Sequence, residues 1–279
     1  MRIAVTGSKG QLGTTFLARL PQNETLGLDL PEHDLLDLAA TVARVGEFAP
    51  EVVIHTAAMT DVDGCERDPE RAYLTNVVAT RNIAVAAERC GAALVYIGTD
   101  YVFDGAKGAP YWEYDAPNPL SVYGRTKWLG EQVVRDLMNH FYIARIAWLY
   151  GAGPRNFVRT VLHLADEGRP LRMVTDEVGS PTYAADVADA LLALVRQPAY
   201  GLYHLPNTGV CSRFGWAQEI LRLGERGGAE LIPTLNYQRA ARVPRMAELR
   251  NLNAAQLGIT MRPWQAALAA LFDEMQGTP

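Results

Sequence analysis

Short apolar runs alternate with longer stretches of helical periodicity through the first half of the chain. Runs this short and this uniformly apolar are typical of strands that are buried on both faces of a sheet. Strands that alternate with helices predict a parallel sheet joined by crossover helices, and therefore an α/β fold. The predicted strands are Arg2–Thr6, Thr25–Asp29, Val52–Thr56, Ala93–Gly98 and Tyr142–Ala147.

The clearest predicted helix runs from about Pro69 to Cys90 and is long enough to serve as a crossover. It stops at Gly91, because glycine best tolerates the left-handed conformation that ends many helices. A second helix is predicted to begin at Pro119, since the fixed φ of proline suits a first helical turn.

The pattern becomes less regular after Tyr150, where glycine and proline residues interrupt it. A predicted helix at Ala184–Arg196 and a predicted strand at Gly201–Leu205 indicate that the chain returns once to the sheet. We therefore expect a Rossmann-like doubly wound parallel sheet with a smaller, discontinuous α/β substrate-binding lobe. The dinucleotide-binding part would comprise residues 1–150 and about 184–205, and the lobe about 151–183 and 206–279.

The composition is that of an ordinary globular protein, with 49% hydrophobic and 20% charged residues. A net charge of −5 removes the simple electrostatic route to nucleic acid. The apolar run after Arg2 is too short for a signal peptide, and no stretch reaches about 18 uninterrupted apolar residues. We expect a cytoplasmic protein that binds neither nucleic acid nor a membrane.

Cysteine and histidine spacing predicts neither a disulfide framework nor a metal site. Cys65, Cys90 and Cys211 are widely separated and form no C-x-x-C pair. No two of the five histidines stand four residues apart, as they would to offer two ligands from one helix. We therefore predict no required metal.

Three glycines, Gly7, Gly10 and Gly13, lie between the first predicted strand and the first helix. Glycines there permit a tight turn and let the backbone approach a pyrophosphate, which free N–H groups at the helix N-terminus stabilise. Their spacing differs from the G-x-G-x-x-G fingerprint, so an ordinary turn is the alternative. An acid at the end of the next strand favours the dinucleotide site.

That acid is Asp29, whose carboxylate would accept hydrogen bonds from the adenosine ribose, as in NADH. No arginine follows it to hold the 2′-phosphate of NADPH, although Lys9 would serve in part. The choice between NADPH and NADH therefore stays open. In the next acidic turn, Asp37 either reaches the adenine edge or caps the following helix.

Tyr123 and Lys127 stand four residues apart and would share one face of a helix. An ammonium near a phenol favours the phenolate and lowers the phenol pKa toward the working range of an acid–base catalyst. Thr99 ends a predicted strand, where ligands of open α/β sheets bind, and its hydroxyl would polarise a substrate carbonyl. Strand-end capping is the alternative role for Thr99.

Several motifs together closely resemble the dTDP-4-dehydrorhamnose reductases of the extended short-chain dehydrogenase family. They are Gly10-Gln11-Leu12-Gly13, the run from Thr99 to Gly105, the Tyr123–Glu131 segment, the run from Arg145 to Gly151, and Asp176–Thr182. The resemblance implies reduction of the C4 ketone of dTDP-6-deoxy-L-lyxo-4-hexulose to dTDP-L-rhamnose. NADPH or NADH would be the hydride donor.

The resemblance also implies roles for individual residues. Tyr123 would be the proton donor and Lys127 would bind the nicotinamide ribose. Thr99 and Asp100 would face the sugar, which Trp148 and Asn156 would contact from the lobe. Alternatively, Trp148 is a core aromatic residue and Asn156 caps a helix at Phe157–Glu167. The cofactor contacts would further include Gly7, Gly10, Gln11, Leu12, Gly13, Asp29, Asp37, Leu38, Ala57, Ala58 and Met59.

The chain departs from the family pattern at Gly98, where a serine is usual, and at His55-Thr56, where an Asn-Ala pair is usual. The segment 242–249 is an imperfect match, with extra arginines in and beside it that would suit a diphosphate or form a solvated basic face. These arginines are Arg242, Arg245 and Arg250.

Other members of the wider family leave alternative functions open. A dehydratase would need a second carboxylate beside Asp100, where this chain has Tyr101. An epimerase is a further alternative. The regulatory beta subunit of methionine adenosyltransferase resembles the same reductases and binds a nicotinamide cofactor without turnover. Consumption of the cofactor on addition of a keto-sugar would distinguish the enzyme from the regulator, and the choice between monomer and homodimer stays undecided.

Overall fold

The strands of the molecule fall into one large sheet and several short pairs. In the computed structural model, which describes residues 1–235 and 237–277, the strands are β1 (Ile3–Thr6), β2 (Thr25–Leu28), β3 (Val52–His55), β4 (Ala93–Thr99), β5 (Phe141–Ile146), β6 (Leu149–Tyr150), β7 (Leu171–Val174), β8 (Val178–Gly179), β9 (Thr182–Tyr183), β10 (Gly201–His204), β11 (Cys211–Ser212) and β12 (Leu231–Thr234).

Six strands form the central sheet in the order β2-β1-β3-β4-β5-β10, and every neighbouring pair is parallel. All six predicted strands are found, each within two residues of its predicted ends, and the predicted α/β class is confirmed. Because β1 lies between β2 and β3, the chain reverses its direction of travel across the sheet there. Such a reversal leaves a crevice beyond the carboxyl ends of the strands, where ligands of open sheets bind.

Helices cover the sheet and build the region beyond it. They are α1 (Gln11–Leu17), α2 (Leu38–Phe48), α3 (Val62–Arg67), α4 (Pro69–Tyr73), α5 (Ala79–Cys90), α6 (Val122–Leu137), α7 (Phe157–Asp166), α8 (Ala184–Leu194), α9 (Arg213–Leu223), α10 (Asn253–Gln256) and α11 (Trp264–Gly277). None of the helices in the described ranges is long and apolar enough to cross a membrane.

The predicted helix at 69–90 is present but irregular. A π-helical turn, Leu74–Val78, joins α4 to α5. Within this turn the buried Asn76 accepts a hydrogen bond from the backbone N–H of Met59 at 2.8 Å. The helical run ends at Gly91, whose φ of 72° is the left-handed value expected of a terminating glycine.

The prediction that Pro119 begins the next helix is wrong, because α6 begins at Val122. Ser121 caps this helix by accepting a hydrogen bond from the backbone N–H of Gly124 at 3.1 Å. A serine hydroxyl satisfies one of the N–H groups that a helix start leaves unpaired, which the proline ring cannot do. Tyr123 consequently lies in the first turn of α6.

Apolar side chains pack on both faces of the sheet and in a third cluster outside it. One face holds residues of α1 and α8, and the other holds residues of α2 and α5. The third cluster surrounds the fully buried Trp216. Three residues assigned by sequence to the lobe, Ala254, Ile259 and Met261, pack instead with the sheet. The two-part division of the chain stays a prediction.

Candidate active site

Two neighbouring cavities open at the carboxyl ends of the sheet strands. The first, the glycine-loop cavity, has a volume of about 470 Å³ and is lined by Gly7, Gly10, Asp29 and the segment Ala57–Met59, among others. The second, the Tyr123 cavity, has a volume of about 460 Å³. Gly10, Thr56 and Ala58 line both cavities, so the two adjoin. The Tyr123 cavity brings together Gln11, Leu12, Thr99, Asp100, Tyr123, Lys127, Trp148 and Asn156, all of which the sequence had marked.

Gly13 serves the glycine loop without lining either cavity. A Cβ atom on Gly13 would lie 2.1 Å from the carbonyl oxygen of Gly7, so no larger residue fits there without moving the loop. Gly7 itself has a φ of 62°. The loop therefore needs glycine at both positions for its own shape, and Gly10 is the one that faces both cavities.

Asp29 is held in place at the end of β2. Its two carboxylate oxygens accept hydrogen bonds from the backbone N–H groups of Lys9, at 2.7 Å, and Leu30, at 2.8 Å. Asp37 instead caps α2 by accepting a hydrogen bond from the N–H of Ala40 at 3.0 Å. Asp37 and Leu38 are not among the residues that line the two cavities, whereas Leu35 and Leu36 line the glycine-loop cavity. The structure thus favours the capping alternative for Asp37.

Thr99 and Tyr123 meet at the centre of the Tyr123 cavity. The Thr99 hydroxyl donates a hydrogen bond to the carboxylate of Asp100 at 3.1 Å and accepts one from the N–H of Tyr101 at 3.2 Å. The ring of Tyr101 packs edge-on against that of Tyr123, with 5.5 Å between centroids. Burial among these groups raises the pKa of Tyr123 above its ordinary value of 10.0, and hydrogen bonding with Thr99 opposes the rise.

Lys127 lies one helical turn after Tyr123, and its ammonium group sits 4.2 Å from the ring centroid of Tyr96. Burial lowers the pKa of Lys127 to about 7, while the nearby Glu131 opposes this fall. The sequence had predicted that Lys127 lowers the pKa of Tyr123. The structure corrects this, because removal from water is the main influence on the pKa of both side chains. It lowers the pKa of Lys127, raises that of Tyr123 and so keeps the phenol protonated.

The lowered pKa of Lys127 leads to a prediction about how the reaction rate depends on pH. Because the pKa of Lys127 lies near 7, its ammonium form predominates below that pH and is lost above it. We expect the second-order rate constant kcat/KM for catalysis in this cavity to fall as the pH rises above about 7. The measurement is the pH profile of the wild type beside that of Lys127→Arg, in which the side chain stays charged. A wild-type profile that stays flat well into the alkaline range would show that the reaction does not depend on the ammonium form of Lys127.

Arg213 is a cavity residue that the sequence analysis missed. It begins α9, and its guanidinium carbon lies 3.5 Å from the ring of Trp148. Its Nε is 3.8 Å from a carboxylate oxygen of Glu177. Asp100 lies nearby, and burial raises the pKa of its carboxyl to about 7, an effect that hydrogen bonding with Thr99 and the charge of Arg213 oppose. A single arginine after a capping serine carries no sequence signal of this location.

Trp148 and Asn156 each have the structural role that the sequence gave as an alternative, and each also lines the Tyr123 cavity. The indole of Trp148 stacks on the core residue Trp216, with 5.7 Å between centroids, and also lines the Tyr123 cavity. Asn156 caps α7 through the N–H of Arg159 at 3.1 Å. Its amide also donates a hydrogen bond to the side-chain oxygen of Gln11 at 3.0 Å, which ties α7 to the start of α1.

The departure from serine at position 98 has a steric reason. A Cβ atom on Gly98 would lie 2.8 Å from a carboxylate oxygen of Glu131 and 2.9 Å from Cγ of Arg145. Glu131 and Arg145 form a buried ion pair, with 2.7 Å between Nη2 and Oε2. Glycine at position 98 has no side chain and therefore leaves room for this ion pair.

His55, the other departure, is a buried residue held between two hydroxyl groups. Its ring nitrogens lie 2.7 Å from the hydroxyl of Thr6 and 3.0 Å from that of Thr80. Burial lowers the pKa of His55 to about 3, so the ring is neutral at physiological pH. Its place between β1 and α5 is that of a structural residue.

The three additional arginines lie outside both cavities. Arg242, Arg245 and Arg250 are all exposed, as expected for a solvated basic face. Arg242 and Arg245 nevertheless border a further cavity of about 470 Å³, in which Arg245 pairs with Asp176 at 3.1 Å.

Known proteins resemble this chain over nearly its whole length. The family model described as RmlD substrate binding domain matches residues 1–277. The spore coat polysaccharide biosynthesis protein SpsK of Bacillus subtilis (strain 168) is 36% identical, across 98% of this chain and 97% of that protein. The dTDP-4-dehydrorhamnose reductase of Mycobacterium tuberculosis (strain CDC 1551 / Oshkosh) is 37% identical, across 96% of this chain and 91% of that protein.

A solved structure shows the same likeness in three dimensions. The crystal structure of dTDP-4-dehydrorhamnose reductase from Bacillus anthracis strain Ames, in complex with NADP, has a TM-score of 0.95 and 36% identity. The match covers 98% of this chain and 99% of that chain. By sequence and by structure, this chain belongs to the dTDP-4-dehydrorhamnose reductase family.

Proposed function

We propose that the protein reduces the C4 ketone of dTDP-6-deoxy-L-lyxo-4-hexulose to dTDP-L-rhamnose, with NADPH or NADH as hydride donor. The observation that carries this proposal is the meeting of Thr99, Tyr123 and Lys127 in one cavity that adjoins the glycine loop. Relatives that bear the name dTDP-4-dehydrorhamnose reductase support it, as does the NADP complex of one of them. The protein is accordingly an oxidoreductase.

The residues of the first cavity fit a nicotinamide dinucleotide. The glycine loop would offer backbone N–H groups to a pyrophosphate. Asp29, whose carboxylate is held by the N–H groups of Lys9 and Leu30, would accept hydrogen bonds from ribose hydroxyls. Lys127 would hold the nicotinamide ribose at the border of the Tyr123 cavity. The bound cofactor supplies the hydride that adds to C4 of the sugar.

The protein supplies the proton that completes the reduction. Tyr123 donates its phenolic proton to the carbonyl oxygen as hydride reaches C4, so the ketone becomes a secondary alcohol. Thr99 polarises the same carbonyl by a hydrogen bond. A phenol whose pKa is raised by burial keeps this proton at neutral pH until the oxygen becomes basic.

Other residues of the Tyr123 cavity would position the sugar. Asp100, Trp148 and Asn156 line it, as the family resemblance implies, and Arg213 lies over the indole of Trp148. Arg213 brings a cation into a cavity whose substrate carries hydroxyl groups and a diphosphate. We assign it to substrate binding rather than to the chemical step.

The assignment of Arg213 to substrate binding predicts that its substitution affects KM much more than kcat. We expect Arg213→Gln to raise KM for the keto-sugar by roughly 10- to 100-fold, because a charged hydrogen bond of about 1.5–3 kcal/mol is lost. The rate constant kcat should change only a few-fold. Arg222→Gln on the same helix is the matched control, since Arg222 is exposed and pairs with Glu219. An unchanged KM, or a loss confined to kcat, would argue against the assignment.

The test of the proposed function follows the absorbance of the reduced nicotinamide on mixing with the dTDP-linked 4-keto-L-sugar. Oxidation of cofactor with formation of dTDP-L-rhamnose supports the proposal. Binding of cofactor with no oxidation would instead favour a regulatory partner, the function that the methionine adenosyltransferase beta subunit represents. We also propose a cytoplasmic location and the two-part division of the chain, which this assay does not address.

A further inference from the structure

We propose that this protein binds NADH in preference to NADPH, and that an acidic rim formed by Asp29, Glu32 and Asp34 sets the preference. The inference rests on the proposed function only in taking the glycine-loop cavity as the cofactor site. It concerns the adenosine ribose that Asp29 would contact, where the two cofactors differ by a single phosphate group.

Asp29 has little freedom to turn away from that ribose. Both of its oxygens are engaged by backbone N–H groups, those of Lys9 at 2.7 Å and Leu30 at 2.8 Å. A fixed carboxylate accepts hydrogen bonds from a free 2′-hydroxyl group. A phosphate monoester carries about −1.5 to −2 charges at pH 7 and would be repelled by the same carboxylate.

Lys9 is the cation of the loop that would otherwise hold the phosphate. Its ammonium group donates hydrogen bonds to the backbone oxygen of Leu30 at 2.9 Å and to Glu32 at 2.5 Å. The pair is exposed, so the bond is weak, yet it leaves Lys9 with a neutralising partner beside Asp29. Hydrogen bonding with Lys9 also lowers the pKa of Glu32, which therefore remains ionised at neutral pH.

The remaining charged residues of the cavity do not outweigh the acids. Asp29 and Asp34 line it together with His33 and Arg71. Two carboxylates therefore face one guanidinium in this cavity, and the Lys9–Glu32 pair at the rim adds no net charge. Arg71 belongs to α4 and not to the loop that follows β2, and it lines the cavity together with Leu74 and Thr75.

The experiment is a titration of the protein with NADH and with NADPH in the absence of any sugar, read by the fluorescence of the reduced nicotinamide. We expect NADH to bind at least about tenfold more tightly, and the ratio to shrink as salt screens the repulsion. Glu32→Lys should release Lys9, add a second cation and bring the ratio to unity or below, a change of roughly tenfold. Glu47→Lys on α2 makes the same change of charge at an exposed position and should leave the ratio unaltered.

Two results would overturn the proposal. One is a wild-type protein that binds NADPH as tightly as NADH or more tightly, and loss of that binding in Arg71→Ala would then identify the phosphate ligand. The other is a ratio that does not move in Glu32→Lys. Failure of the proposed function would be distinguishable from both results. The ratio of the affinities for NADH and NADPH would still be measurable, but the protein would not reduce added keto-sugar.

Discussion

Replacing Tyr123 by phenylalanine is expected to slow reduction of the keto-sugar by about 10²- to 10⁴-fold, the usual contribution of a positioned general acid. The substitution removes one oxygen atom from a ring that already packs against Tyr101. The affinity for the cofactor should change little, because the glycine loop and Asp29 are untouched. Steady-state rates and cofactor titrations on the same preparation measure the two quantities.

Tyr142→Phe serves as the control for this substitution. Tyr142 is a buried tyrosine of β5 whose hydroxyl donates a hydrogen bond to the backbone oxygen of Gln197, and it lines neither cavity. It should retain activity within roughly twofold, since it tests only the general cost of losing a buried phenol oxygen. If Tyr123→Phe retained a comparable rate, another group would have to deliver the proton.

Removing the carboxylate of Glu131 should cost the protein about 3–5 kcal/mol of unfolding free energy, because it leaves a buried guanidinium without its partner. Arg145 donates two hydrogen bonds to this carboxylate, at 2.9 and 2.7 Å. The side chains of the pair are 2% and 0% exposed, so water cannot replace the lost partner. Denaturant unfolding of Glu131→Ala measures the effect.

Two further variants test the cause of that loss. Glu219→Ala removes a partly buried carboxylate from its pair with the exposed Arg222 and should cost at most about 1 kcal/mol. The double variant Glu131→Leu with Arg145→Met replaces both buried charges by apolar groups and should recover much of the stability. A cost near 1 kcal/mol for Glu131→Ala, or no recovery in the double variant, would show that the pair is not the source of the effect.

The sheet was predictable from sequence because its strands are buried on both faces. Such strands consist mainly of apolar residues, and β1 and β3 are buried at every position, including the polar Thr6 and His55 that end them. Even β10, which follows the irregular region, was identified within one residue of its ends. Boundaries were less certain where a side chain sets them, as Ser121 does for α6, since several polar residues near a helix start are able to cap it.

The site was predictable only where a short motif carries the chemistry. Tyr123, Lys127 and Thr99 were marked by spacing and by their position after strands, and the structure brings them into one cavity. Arg213 was missed because its proximity to Trp148 depends on how α9 packs, which no local pattern records. The pKa shifts were also misjudged, since burial depends on the whole fold rather than on the Tyr–Lys spacing.

The position of β10 has a consequence for synthesis on the ribosome. Its partner β5 is complete at Ile146, but the residues that pair with it, Gly201–His204, are translated only after β6 to β9 and α8. Until then a nascent chain carries the N–H and C=O groups along one side of β5 with no strand beside them, an arrangement that invites pairing with other chains. Translation that stalls between these two strands would therefore release fragments prone to aggregation, and a chaperone that shields strand edges would act on this protein in that interval.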